Sequence, residues 1–237
     1  MNISIRKRPG FLKRLILCAI VILGQVLISD CDTKPEGKAN PDNTQTPAKE
    51  IIEAYDNYKN AVSNADGQKA AGLVAGKTIQ YYNALIGLVL EADSGKLILT
   101  GPLEKFTVLA IRQTVDWKIL RTMEGKDLFA YAIANGMIGK GISKTTIGNI
   151  ELKNDALARA ELLIEGKQTN KFTYFYREEG RWRVDLMEQF KENELSLRKT
   201  IYQPNLSETQ CLVLFYKKTF GVNPGKEIWL PVKWFEK

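Results

Sequence analysis

The run Asp155–Leu186 admits few structures. It reads DALARAELLIEG, then KQTNKFTYFYREEG, then RWRVDL. Side chains alternate across a strand with a period of two. Ala156, Ala158, Ala160, Leu162 and Ile164 therefore share one side, and Arg159, Glu161 and Glu165 take the other, with Leu157 and Leu163. Phe172, Tyr174 and Tyr176 alternate with Thr173, Phe175 and Arg177. Glu178-Glu179-Gly180-Arg181 is a hairpin turn, with glycine where a positive φ is needed. Past it, Trp182, Val184 and Leu186 face away from Arg181, Arg183 and Asp185, which places Asp185 on the solvent side. This is three antiparallel strands joined by two tight turns, and one face needs cover. Thr145–Leu152 (TTIGNIEL) predicts a fourth strand, ahead of a Lys153-Asn154-Asp155 turn.

The cover is helical. Thr46-Pro47 supplies an N-cap hydroxyl and a proline at the first helical position, and Ile51, Ile52, Tyr55, Tyr58 and Val62 follow at helical spacing. Asn64-Ala65-Asp66-Gly67 ends that helix. A second runs from near Gln68 through Tyr81, Tyr82, Leu85, Ile86, Val89 and Leu90, and Gly72 and Gly76 invite a break in its first turns. Gly101-Pro102 opens a third, with Leu103, Phe106, Leu109 and Ala110. Lys126–Ala134 forms another, stopped by Asn135-Gly136 as a left-handed C-cap. Gly136–Gly141 (GMIGKG) has neither the Walker nor the dinucleotide spacing, so it reads as a tight crossover into the sheet and not as a phosphate loop. After the strands, Leu195, Leu197 and Ile201 mark a helix ending before Pro204. Leu206-Ser207-Glu208 opens another, with Cys211, Leu212, Leu214, Phe215 and Phe220 on its apolar face and Gly221 at its end. Glu227–Phe235 (EIWLPVKWF) reads as an edge strand that closes the sheet or binds a protein partner. Helices followed by a strand meander give an α+β fold, with N-terminal helices packed on an antiparallel sheet and a C-terminal helical extension.

Phe175–Leu186 (FYREEGRWRVDL) resembles the end of the sheet in bacterial members of the nuclear transport factor 2-like superfamily: an aromatic, an acidic-glycine turn, then Trp-x-Val. The resemblance spans Pro47–Leu186. It implies a strongly curved sheet wrapped around helices into a cone with an apolar pocket. It also implies a range of roles, from steroid isomerases and dehydratases to members with no catalysis. The dehydratases use a histidine, which this chain lacks. The isomerases use an aspartate base with a tyrosine hydroxyl, but no motif assigns those roles to positions here.

The amino terminus predicts export. Residues 1–14 are basic, and Leu15–Ile28 is a 14-residue apolar run, short of the roughly 20 needed to span a bilayer. A signal peptide over residues 1–30 is the expectation; an uncleaved anchor is the alternative. Leu27-Ile28-Ser29-Asp30-Cys31 resembles a bacterial lipoprotein box, in which Cys31 becomes the lipid-carrying first residue; Asp30 departs from the usual small residue before the cysteine. A diacylated Cys31 gives the firm anchoring that one acyl chain lacks. Residues 31–46, rich in Pro, Gly and polar side chains, form a flexible tether. Residues 47–187 are the cone-like domain and 188–237 an extension packed on it. The expected location is a membrane of the bacterial cell envelope, facing the periplasm or cell surface.

Charge and chemistry narrow the function. Net charge is +7, but five of the 34 basic residues lie in the leader against one of the 27 acids, leaving 29 against 26 and interleaved. No nucleic-acid partner is expected. Without histidine, serine–histidine and cysteine–histidine nucleophiles and histidine-ligated metals are excluded, and Cys18, Cys31 and Cys211 have no zinc spacing. No cofactor and no metal are expected. Asp116, Asp127 and Asp185 lie nearest apolar surroundings, with Asp127 also placed to cap a helix. Candidate pocket residues are Tyr81, Tyr82, Asp127, Tyr131, Phe172, Tyr174 and Tyr176. A desolvated carboxylate beside a tyrosine could abstract a proton next to a carbonyl, as an isomerase or lyase does. The first expectation is a membrane-tethered, non-enzymatic domain that binds a small apolar ligand or a protein. A structural or assembly role for the carboxy-terminal extension is the further alternative.

Overall fold

The computed structural model describes residues 45–232. The expected leader, the expected lipidation at Cys31 and most of the expected tether fall outside the described residues.

The chain runs through α1 (Gln45–Ser63), α2 (Gly67–Ala71), α3 (Gly76–Glu91), α4 (Ser94–Ile98), α5 (Pro102–Thr114), α6 (Trp117–Leu120) and α7 (Gly125–Ala134). Four strands follow, β1 (Thr145–Asn154), β2 (Leu157–Ile164), β3 (Lys167–Glu178) and β4 (Arg181–Asp185), then α8 (Met187–Ile201) and α9 (Glu208–Phe220). The sheet is an antiparallel meander in the order β1-β2-β3-β4. The fold is α+β. No helix among the described residues is long and apolar enough to cross a membrane.

Both turns flanking β3 use paired positive-φ residues, Glu165-Gly166 (51° and 78°) and Glu179-Gly180 (51° and 75°). That backbone matches the right-handed twist of the strands it joins. Register then sorts the faces. Ala158 opposes Phe175, and Phe175 opposes Val184, so these three meet on one face, where all are buried. Tyr55 of α1 sets its ring edge-on to Phe175 at 6.4 Å and shares a 2.6 Å hydrogen bond with the Thr145 hydroxyl. The register shifts within the β1–β2 pairing and between Leu162 and Leu163, the kind of irregularity that a β-bulge introduces.

The break between α2 and α3 has a tertiary cause. Leu73–Ala75 runs beside β4: Ala75 N–H donates to the Val184 carbonyl at 2.8 Å, and Val184 N–H to the Leu73 carbonyl at 3.0 Å. The Gly76 N–H, first of α3, points at both Glu178 oxygens at 3.0 Å. A carboxylate at a helix N-terminus satisfies an orphan donor and the helix dipole together.

Two helix contacts require glycine. A Cβ on Gly67 would sit 2.0 Å from the Ala130 carbonyl oxygen, and one on Gly125 would sit 2.3 Å from the Asn83 nitrogen. The Asn83 side chain also accepts the Gly125 N–H at 2.7 Å, capping α7 from α3. At its other end α7 closes as a Schellman motif, Gly136 N–H to Ile133 and Met137 N–H to Ala132. Gly136, Gly139 and Gly141 all have positive φ, which lets residues 136–141 fold tightly into β1.

The carboxy-terminal helices differ in phase from the sequence reading. α8 starts at Met187, and its buried positions include Leu197 and Ile201; Leu195 is 61% exposed because it lies about 140° off the centre of that stripe. In α9, Cys211, Leu212, Tyr216 and Phe220 are buried and Leu214 is exposed. The predicted strand Glu227–Phe235 is also corrected where it is described. Lys226–Trp229 is a 3₁₀ turn, held by Arg112 of α5, whose Nη1 donates to the Ile228 carbonyl at 3.0 Å. The same guanidinium reaches the carbonyls of Leu88, Val89 and Ala92, closing the end of α3. Residues 233–235 lie outside the described residues.

Candidate functional site

An apolar pocket of about 150 Å³, partly open to solvent, lies between α3, α5, α7, α8 and α9. No strand residue lines it. The helix periodicity that buries one face of each element leaves this space where five such faces converge without a side chain long enough to fill the centre.

Two aromatic groups wall it. Tyr81 and Tyr82 meet edge-on at 5.6 Å, and Phe190 of α8 packs on both, at 4.9 and 6.1 Å. Opposite, Phe106 of α5 contacts Phe215 and Phe220 of α9 at 5.0 and 6.1 Å. Leu85, Ala110, Leu128 and Leu197 complete much of the lining. Its polar side chains are Tyr81, Tyr82, Thr107, Thr114 and Asn193. Both threonine hydroxyls donate back into α5, Thr107 to Leu103 and Thr114 to Ala110, each at 2.7 Å. Burial raises the Tyr82 hydroxyl pKa strongly, and Tyr81 and Tyr58 add to it. The Tyr81 hydroxyl is raised first by burial and then by the charges of Glu104 and Glu194.

The seven pocket candidates separate. Tyr81 and Tyr82 line the pocket. Asp127 does not: its carboxylate accepts the Glu124 N–H at 3.1 Å in a capping box at the start of α7. Tyr131 lies on α7, partly buried and outside the lining. Phe172, Tyr174 and Tyr176 point away from the core, since the alternation that buries Phe175 turns its neighbours outward. On that outer face Arg159 stacks on Phe172 at 4.5 Å and Lys77 on Tyr176 at 3.5 Å.

The other two aspartates also have structural partners. Asp116 accepts the Lys118 N–H at 2.9 Å and caps α6. Asp185 is 3% exposed, contrary to its solvent-side alternation, because α3 and the start of α8 close over the end of β4. Its Oδ1 accepts the Met187 N–H at 3.0 Å, and its Oδ2 lies 2.8 Å from Lys77 Nζ. Oδ2 finds no well-directed hydrogen-bond donor, so the Lys77 contact is an ion pair. Burial opposes the Lys77 charge, but Asp185 and Tyr176 outweigh it and raise its pKa.

Sequence reasoning missed the α5, α8 and α9 contributions to the pocket: Phe106, Phe190, Asn193, Leu197, Phe215 and Phe220. Their only signal was helical spacing, which identifies a buried face without saying what it faces. No protein-family model matches this chain, and neither does any curated protein or solved structure at a significant level.

Proposed function

We propose that this chain is a non-enzymatic binding domain of the cone-like nuclear transport factor 2-like type, held at the cell-envelope membrane by a lipid on Cys31, with a small apolar ligand between its helices. The observation that carries the reading is the lining of the 150 Å³ pocket, which is mostly aromatic and aliphatic and includes no carboxylate. An apolar cavity of about 150 Å³ holds a benzene-sized group. Left unfilled, such a volume costs at most roughly 3–4 kcal/mol, taking about 24 cal/mol per Å³ and discounting for the open side. A ligand recovers part of that. The α1-covered meander and its bulges support the cone-like type, although the pocket lies among helices and not against the sheet. An isomerase or lyase would need an acid–base pair in the lining, and Asp127 sits in a helix cap instead.

The test uses the full chain in nanodiscs, with ethylbenzene as probe. Ethylbenzene should raise the melting temperature, and Ala110→Leu, which fills the pocket from α5, should abolish that rise. A wild-type chain that does not respond overturns the reading. For the anchor, Cys31→Ser should release the protein from the membrane fraction; retention would favour an uncleaved leader.

A further inference from the structure

We infer that the pocket takes a compact aromatic ligand with one uncharged hydrogen-bonding head, of the benzyl alcohol kind, and that Asn193 of α8 recognises that head. The inference rests on the pocket being a ligand site and concerns the polar end of its occupant.

Helix α8 turns Phe190, Asn193 and Leu197 toward the cavity, at the spacing of one helix face. An amide in the middle of that stripe interrupts an otherwise apolar row. Its neighbour fixes its place. Glu194 accepts the Leu103 N–H at 2.8 Å and pairs with Arg198 at 2.8 Å, which holds this turn of α8 against the start of α5. Asn193 is partly buried, yet its amide makes no hydrogen bond to any described residue. The Tyr81 hydroxyl makes none either, and the Tyr81 ring packs 4.9 Å from that of Phe190, one turn before Asn193. Polar groups held in an apolar wall without a partner cost free energy that a ligand can return.

The threonines of the lining differ, since both hydroxyls already donate into α5. The Asn193 amide offers a donor and an acceptor, and the Tyr81 hydroxyl, which burial keeps protonated, offers a donor. A hydroxyl head can donate to the Asn193 oxygen and accept from Tyr81. No ionised side chain lines the pocket. A charged head would leave water without meeting a counter-charge, a heavier cost than these neutral groups return. A pure hydrocarbon would leave the amide as it stands.

Binding to the full chain in nanodiscs, corrected with empty nanodiscs, tests this with ethylbenzene, its isostere benzyl alcohol, benzylammonium and benzoate. Water holds a hydroxyl more firmly than a methyl, so the diagnostic quantity is how the benzyl alcohol to ethylbenzene ratio changes between proteins. Asn193→Leu, similar in shape, should weaken benzyl alcohol by about fivefold or more, the scale of one hydrogen bond, and leave ethylbenzene no weaker. Tyr81→Phe should act in the same direction and decides alone if Asn193→Leu does not fold. Benzylammonium and benzoate should each bind about tenfold or more weaker than benzyl alcohol. A ratio that Asn193→Leu leaves unchanged, or either ion binding as tightly as benzyl alcohol, overturns the inference, while ethylbenzene binding keeps the pocket reading intact. If no probe binds, both fail.

Discussion

The Gly76 N–H lies 3.0 Å from each oxygen of the Glu178 carboxylate, across 102 residues of chain. The contact joins the β3–β4 hairpin to the first turn of α3. Its neighbours repeat the link: the Arg183 guanidinium donates to the Gly72 carbonyl at 2.6 Å, and the Leu186 N–H to the Thr78 hydroxyl at 3.3 Å. Helix α3, and with it Tyr81 and Tyr82, is thus positioned by the sheet. Glu178→Gln should lower stability by about 1 kcal/mol, the usual scale of a lost cap. Urea unfolding with an unchanged slope would give that figure directly.

Arg112 calls for a larger effect. Burial lowers its pKa to about 10, yet it holds four backbone carbonyls, those of Leu88, Val89, Ala92 and Ile228. Arg112→Met should cost about 3 kcal/mol or more, since each buried acceptor left without a donor costs roughly 1–3 kcal/mol. Arg112→Lys, a point charge without the planar fork, should fall between wild type and methionine. Equilibrium denaturation of the three proteins checks the order.

Two glycines should respond to alanine with opposite signs. Gly67 meets the Ala130 carbonyl, so Gly67→Ala must push α2 and α7 apart and should destabilise by about 1–3 kcal/mol. Gly87, inside α3, has nothing within 4 Å of its would-be Cβ. Gly87→Ala should stabilise by about 0.5–1 kcal/mol. Paired thermal melts decide it.

Alkaline pH should unfold the protein. Burial raises the hydroxyl pKa values of Tyr58, Tyr82, Tyr81 and Tyr216 in the folded state. A raised folded pKa contributes stability that is complete below the unfolded value, about 10, and is lost as pH climbs through the folded one. Arg112, with its lowered pKa, works the other way over part of that range, but it is one group against these four and the likewise raised Tyr55 and Tyr131. Stability should therefore fall steeply above about pH 10, with tyrosinate absorbance rising together with unfolding. Tyr58→Phe should make the fall shallower.

Much of the fold is legible in the chain because its signals are local. Period-two alternation from Ala156, the Glu179-Gly180 turn and the Asn135-Gly136 stop each carry their reason within a few residues. Even the α2–α3 break announces itself in Gly72 and Gly76, although its cause, β4, is distant. Short elements were harder. α4 and α6 have five and four residues, too few for periodicity, and their local marks are the capping Asp93 and Asp116. The pocket was the least legible part. Phe172, Tyr174 and Tyr176 were as aromatic as Phe175, and strand parity alone does not say which set faces inward. Phe190 and Phe215 carry no mark that they share a cavity with Tyr81, because that depends on how five helices pack.

The Gly76–Glu178 contact also bears on how the molecule comes to be folded. A chain made from its amino terminus presents α1 through α3 long before the hairpin that caps α3 exists. Loop closure over about a hundred residues is entropically costly and slow compared with local helix and hairpin formation. The two ends of that loop should therefore join late, after both halves have local structure. Until then the apolar faces of α3 and α5, which later wall the pocket, are exposed to neighbouring chains. The interval before Glu178 reaches Gly76 is when this protein is most prone to aggregate.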